Sequence, residues 1–134
     1  MKRIFFYSVM LLLSVVATIS CSKDDDEKAT SATIQLVDIS GNAIKGISVY
    51  AYDEDTWKVI GDDPLHADFQ VVSNDAGNAT FTNLDSGTQF TSLNNETNTF
   101  TFSAHYSVNS ISKKKTISIT LKKGDNKTEK LVLN

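Results

Sequence analysis

The chain has one cysteine, one proline and one tryptophan in 134 residues. A single thiol, Cys21, cannot build a disulfide framework, so the body must be held by burial and backbone pairing. No run of the roughly 20 apolar residues needed to cross a bilayer core is present. The longest apolar stretch, Ile4 to Ile19, is about 16 residues and is interrupted by Ser8, Ser14 and Thr18. Lys and Arg are also outnumbered by Asp and Glu. Without Lys2 and Arg3, 11 basic residues face 16 acidic ones, a net charge of −5. That balance argues against nucleic acid as a partner, because phosphate contacts need a basic patch. After residue 30 no sustained 3.6-residue apolar pattern appears, which excludes a helical bundle. There are two histidines, His66 and His105, with no Cys or third His to join them in a zinc site. No Gly-x-Ser-x-Gly elbow marks a serine hydrolase. These features point away from an enzyme.

The most specific pattern lies at the start. Met1-Lys2-Arg3 is a basic segment, the apolar run follows, and small Ser20 precedes Cys21. This is the layout of a secretory signal peptide, which is removed and takes no part in the fold. With Cys21 as the new first residue, the segment resembles a bacterial lipoprotein signal, apart from Thr18 where such signals usually carry Leu. The resemblance implies acylation of Cys21. Each buried methylene contributes about 0.8 kcal/mol, and two or three chains make an anchor effectively permanent. Lys23, Asp24, Asp25, Asp26 and Glu27 come next. They resemble the acidic export tag of surface-exposed lipoproteins in Bacteroides-type Gram-negative bacteria, which implies an outer-membrane protein facing the exterior. The same run also reads as a solvated spacer, and residues 22–31 reach at most about 35 Å when extended.

The expected organisation is therefore a signal peptide at 1–20, a lipidated cysteine with an acidic spacer at 21–31, and one domain at 32–134. The domain reads as seven short strands with polar turns between them, an all-β, two-sheet sandwich. Residues 32–39 form the first strand. Ile47, Val49 and Ala51 share one face of the second, with Tyr50 and Tyr52 on the other. Strands at 69–73 and 79–84 flank a tight turn at 74–78. Phe100, Phe102, Ala104 and Tyr106 alternate with Thr101, Ser103 and His105. Strands around 117–121 and 128–133 complete the set. Segments 53–68 and 85–98 read as long loops, the first with one helical turn near Thr56 and Trp57, and 107–115 reads as a turn. If successive strands run up and down, loops 53–68, 85–98 and 122–127 share the end nearest the N-terminus.

Val37-Asp38, Gly41, Ile44, Gly46 and Val49, followed by Asp75, Gly77, Phe81, Leu84, Gly87 and Phe90, resemble transthyretin-like domains of the carboxypeptidase-regulatory-like and Cna-B-like type. The resemblance spans about residues 32–133 and implies an Ig-like sandwich. Its glycines shape turns and its aliphatics fill a core, so it implies no catalytic residue. Residues 91–98 depart from it by intervening before Phe100. The Lys of the isopeptide crosslink found in some Cna-B-like domains has no counterpart at 32–39.

Two constellations could bind something. Asp53, Asp55, Asp62 and Asp63 lie in one acidic loop, and clustered carboxylates can serve calcium, although the spacing matches no defined calcium loop. Trp57 could stack on a sugar ring or anchor a protein; it could equally pack onto the loop, with Tyr50 and Tyr52 covering the sheet. Lys113, Lys114 and Lys115 read as a guard against edge pairing ahead of a strand. The sequence thus favours a lipid-anchored, non-catalytic surface module for a protein or glycan partner, an accessory to glycan uptake or adhesion. The alternative is a calcium- or small-ligand-binding lipoprotein that uses the 53–68 loop.

Overall fold

The computed structural model describes residues 29–86 and 97–134. The signal segment, Cys21 and residues 23–27 lie outside the described residues, as do Gly87 and Phe90. Among the described residues, seven strands form two sheets: β1 (Ser31–Val37), β2 (Ser48–Tyr52), β3 (Phe69–Val72), β4 (Asn78–Phe81), β5 (Thr97–Val108), β6 (Ile111–Lys122) and β7 (Asn126–Val132). One sheet has the order β4-β1-β7 and the other β3-β2-β5-β6. Neighbouring strands are antiparallel, except that β7 runs parallel to β1 from Ser31↔Asn126 to Val37↔Val132. This is the seven-stranded two-sheet sandwich expected from the alternating runs.

Alternation sets the core, because successive side chains of a strand point to opposite faces. Ala32, Ile34 and Leu36 of β1 meet Val49 and Ala51 of β2 and Phe100, Phe102 and Ala104 of β5, all fully buried. Phe81 and Phe102 close the gap between the sheets with ring centroids 5.1 Å apart at 58°. Leu121 and Leu131 extend the same cluster.

Strand direction gives the sandwich two poles. At one, Ser31 N–H donates to Asp125 O (2.8 Å), Leu84 N–H to Thr30 O (2.9 Å) and Gly124 N–H to Thr30 Oγ1 (2.7 Å). At the other, Leu36 N–H donates to Gly77 O (2.7 Å) and Leu133 N–H to Val37 O (2.8 Å). Ser73 joins the connection after β1 to β3 there. Its hydroxyl donates to Ile44 O (2.8 Å) and accepts from Ile47 N–H (3.0 Å), and the residue is 4% exposed. Ser73→Ala leaves both backbone groups without this partner, so it should lower unfolding free energy by about 1–2 kcal/mol. A urea midpoint unchanged within error would contradict that.

Several boundaries differ from expectation. β1 stops at Val37 because Asp38 turns the chain: its Oδ1 accepts from Ser40 N–H and Asn42 N–H, each at 2.9 Å. Ile39, expected in the strand, is 81% exposed. The expected 107–115 turn is a two-residue hairpin at Asn109 and Ser110, with φ of 51° and 65°. Lys113, Lys114 and Lys115 therefore lie within β6 and not ahead of it.

Candidate functional site

The outer face of the four-stranded sheet carries Tyr50 and Tyr52 from β2, Thr101, Ser103 and His105 from β5, and Lys114 from β6. Segment 53–68 starts at the N-terminal pole, where Glu54 N–H donates to Asn98 Oδ1 (3.4 Å). It does not stay at that pole, as a loop confined to the strand ends would. It folds back along the sheet and covers this face, which is why Tyr52 and Ser103 are fully buried although they point away from the core.

Local chemistry explains the path. Asp53 caps α1 (Glu54–Val59) by accepting from Thr56 N–H at 2.7 Å. Asp68 ties the two ends of the segment together: its Oδ2 accepts from Asp53 N–H (2.8 Å) and its Oδ1 from the Thr56 hydroxyl (3.3 Å). The Trp57 ring packs on Tyr52 with centroids 5.4 Å apart. After Gly61 the chain delivers Asp62, and a 3-10 turn (Pro64–His66) follows, in which Asp63 accepts from Leu65 N–H (3.1 Å) and pairs with His66 Nδ1 (2.8 Å).

Asp62 is the centre of the site. Its side chain is 6% exposed. Oδ1 accepts from the Tyr52 hydroxyl (2.9 Å) and lies 3.0 Å from His105 Nε2. Oδ2 accepts from the Ser103 hydroxyl (2.6 Å) and lies 3.7 Å from Lys114 Nζ. His105 is braced by the Tyr50 ring, edge-on at 4.9 Å. Burial pushes the Asp62 carboxyl up, but the bonds from Ser103, Tyr52 and His105 outweigh it and hold the group below the usual carboxylate range. Burial and then the bond to Asp62 raise the Tyr52 phenol, which stays protonated and keeps donating.

Serine, histidine and aspartate thus meet, but not in the order of a nucleophilic triad. The carboxylate sits between the other two, the Ser103 hydroxyl is bonded to Asp62 and not to the imidazole, and Ser103 is fully buried. The cluster can hold the segment on the sheet; it does not present an activated hydroxyl.

The four aspartates considered for calcium are not gathered into one cage. Asp53 caps a helix, Asp62 faces the sheet, Asp63 holds the 3-10 turn and Asp55 sits in the first turn of α1. Among the described residues, no group of three or more His, Cys, Asp or Glu is arranged to hold a metal ion. Trp57 is half-buried, with its ring against Tyr52. Alternation in the sequence turns Tyr52, Ser103 and His105 outward in their own strands, but it does not show that β2 and β5 are neighbours or that Asp62 is their shared partner. The outward alternation was the available signal; which loop residue would land on it was not encoded in any spacing. Among the described residues, no helix is long and apolar enough to cross a membrane. No family model and no curated protein matches the chain.

Proposed function

We propose that the protein is a lipid-anchored, non-catalytic module of the bacterial cell surface, tethered through Cys21 and built on a transthyretin-like sandwich that binds a protein or glycan partner or serves as a structural element there. One observation carries the reading: the single cysteine stands between a basic-then-apolar leader and the acidic run of residues 23–27. The fold is compatible with it. The first strand begins at Ser31, ten residues past Cys21, so the tether would enter at the Thr30 pole and leave the opposite pole and the sheet edges free.

Expression in a Bacteroides-type Gram-negative host tests this. Mass spectrometry should find a mature chain that begins at an acylated Cys21 and fractionates with the outer membrane. Cys21→Ala should abolish acylation and shift the protein out of the membrane fraction. Replacing residues 23–27 with alanine should leave acylation intact and reduce cleavage by protease added outside the cells. A mature chain with a free Cys21 thiol, or cut elsewhere, overturns the proposal.

A further inference from the structure

β6 is the outermost strand of the four-stranded sheet and spans twelve residues, whereas the opposite edge strand, β3, has four. A two-residue hairpin whose central residues both have positive φ closes on a hydrogen-bonded pair, here Val108↔Ile111. Pairs alternate from there. Residues 112, 114, 116, 118, 120 and 122 therefore turn their N–H and C=O groups away from β5. Two contacts agree with this parity. Thr120 O accepts from Lys127 Nζ (2.8 Å), and Lys122 N–H donates to Asp125 Oδ2 (2.8 Å). These close the lower end of the edge. Above Thr120, no described residue pairs with the outward groups of residues 112, 114, 116 and 118, and all four residues are exposed.

This open stretch has one sign of charge. Lys114 lies on the outer face beside His105, while Lys113 and Lys115 lie on the face shared with Ile117 and Ile119. No acidic residue occurs in β6. The seven-residue edge strand of the other sheet, β7, mixes Lys127 and Lys130 with Glu129. Among the described residues, the partners of Lys113, Lys114 and Lys115 are few. Lys113 Nζ donates to Asn134 O (3.1 Å), Lys115 Nζ reaches Asn134 Oδ1 (3.5 Å), and Lys114 is 62% exposed with Asp62 at 3.7 Å.

We infer that residues 112–118 of β6 form a docking edge for an extended acidic peptide segment of a partner protein, which adds to the sheet as a fifth strand. Unpaired backbone groups supply the register, and lysines flanking both faces of the edge select carboxylates on either face of the incoming strand. The same lysines work against a second copy, because β6 pairing with β6 would bring both lysine triplets onto one seam. This inference stands on the edge itself and holds whether or not Cys21 is acylated.

The test uses the full chain in non-ionic detergent, with amide resonances followed as a blocked peptide of alternating Thr and Glu, about eight residues long, is added. The amides of residues 112, 114, 116 and 118 should move first, and affinity should fall as salt rises. Exchanging Glu for Gln in the peptide should weaken binding about tenfold. K113Q/K114Q/K115Q should do the same. Thr116→Pro removes an outward donor without touching the β5 ladder, a position where an edge strand tolerates proline, and should abolish binding. If that variant fails to fold, the triple Gln variant carries the test. Unmoved edge amides, equal affinity for the Gln peptide, or perturbation of β7 instead overturns the inference. So does concentration-dependent loss of the edge amides without peptide, which would indicate self-pairing.

Discussion

Asp62→Ala should destabilise the protein by about 2–4 kcal/mol at neutral pH and loosen the cover over the sheet. The carboxylate takes hydrogen bonds from the Tyr52 and Ser103 hydroxyls, at 2.9 and 2.6 Å, and both residues are fully buried. Removing the acceptor leaves two buried donors without a partner, each costing about 1–3 kcal/mol, less what an entering water recovers. Asp62→Asn keeps one acceptor and should cost less. Trp57 reports the local part of the effect, because its ring rests on Tyr52; its emission should shift to longer wavelength in the alanine variant. The pH dependence has a definite sign. The folded carboxyl titrates below the ordinary aspartate value of about 3.9. Its contribution is therefore complete well above that value and is lost as pH falls through the lower, folded one. Wild-type stability should decline in that acid window, and Asp62→Asn should lack that share of the decline. An alanine variant within about 0.5 kcal/mol of wild type, the range of an ordinary surface change, would show that Asp62 does not hold the segment down.

The contrast between the legible and illegible parts of this chain has a physical source. β5 could be read because Phe100, Phe102 and Ala104 alternate with Thr101, Ser103 and His105, and one face of a buried strand must be apolar. The 74–78 turn could be read because Asn74 and Gly77 supply an Asx acceptor and a positive φ, and Asn74 Oδ1 does accept from Ala76 N–H and Asn78 N–H, both at 3.0 Å. The β5–β6 hairpin could not, because Asn109-Ser110 is a weaker signal than Asn-Gly and three lysines inside a strand look like a loop. They are tolerated there because β6 is an edge, and edge position is a property of the sheet rather than of the strand. β4 ends at Phe81 rather than at 84, since Asn83 takes φ of 56° and Leu84 N–H bonds to Thr30 O, yet Leu84 is still fully buried. The Asp62 cluster was hidden for a similar reason. Tyr52, Ser103 and His105 lie 10, 41 and 43 positions from Asp62, and they meet it because segment 53–68 folds onto the sheet.

Gly77→Ala should be the more damaging of the two substitutions, at about 3–5 kcal/mol, although it adds a single methyl group. Gly77 has φ of +77°, where an L-residue pays about 1–2 kcal/mol. A Cβ there would also lie 2.5 Å from Leu36 O and 3.1 Å from both Ala43 Cβ and Ile44 N. The nearest atom is backbone and cannot rotate away. Leu36 O is already the acceptor for Ile44 N–H (3.0 Å), while Leu36 N–H donates to Gly77 O (2.7 Å). Moving that carbonyl disturbs β1, the connection that follows it and the 74–78 turn together. Gly41 provides the internal comparison. Its φ is +87°, but a Cβ would meet nothing within 4 Å, so Gly41→Ala should cost about 1–2 kcal/mol from backbone conformation alone. Denaturant unfolding of the two variants separates the contributions. A Gly77 loss well above the Gly41 loss assigns the excess to the close approach at Leu36; equal losses would mean that the pole relaxes freely around the added methyl and that the turn is not packed as described.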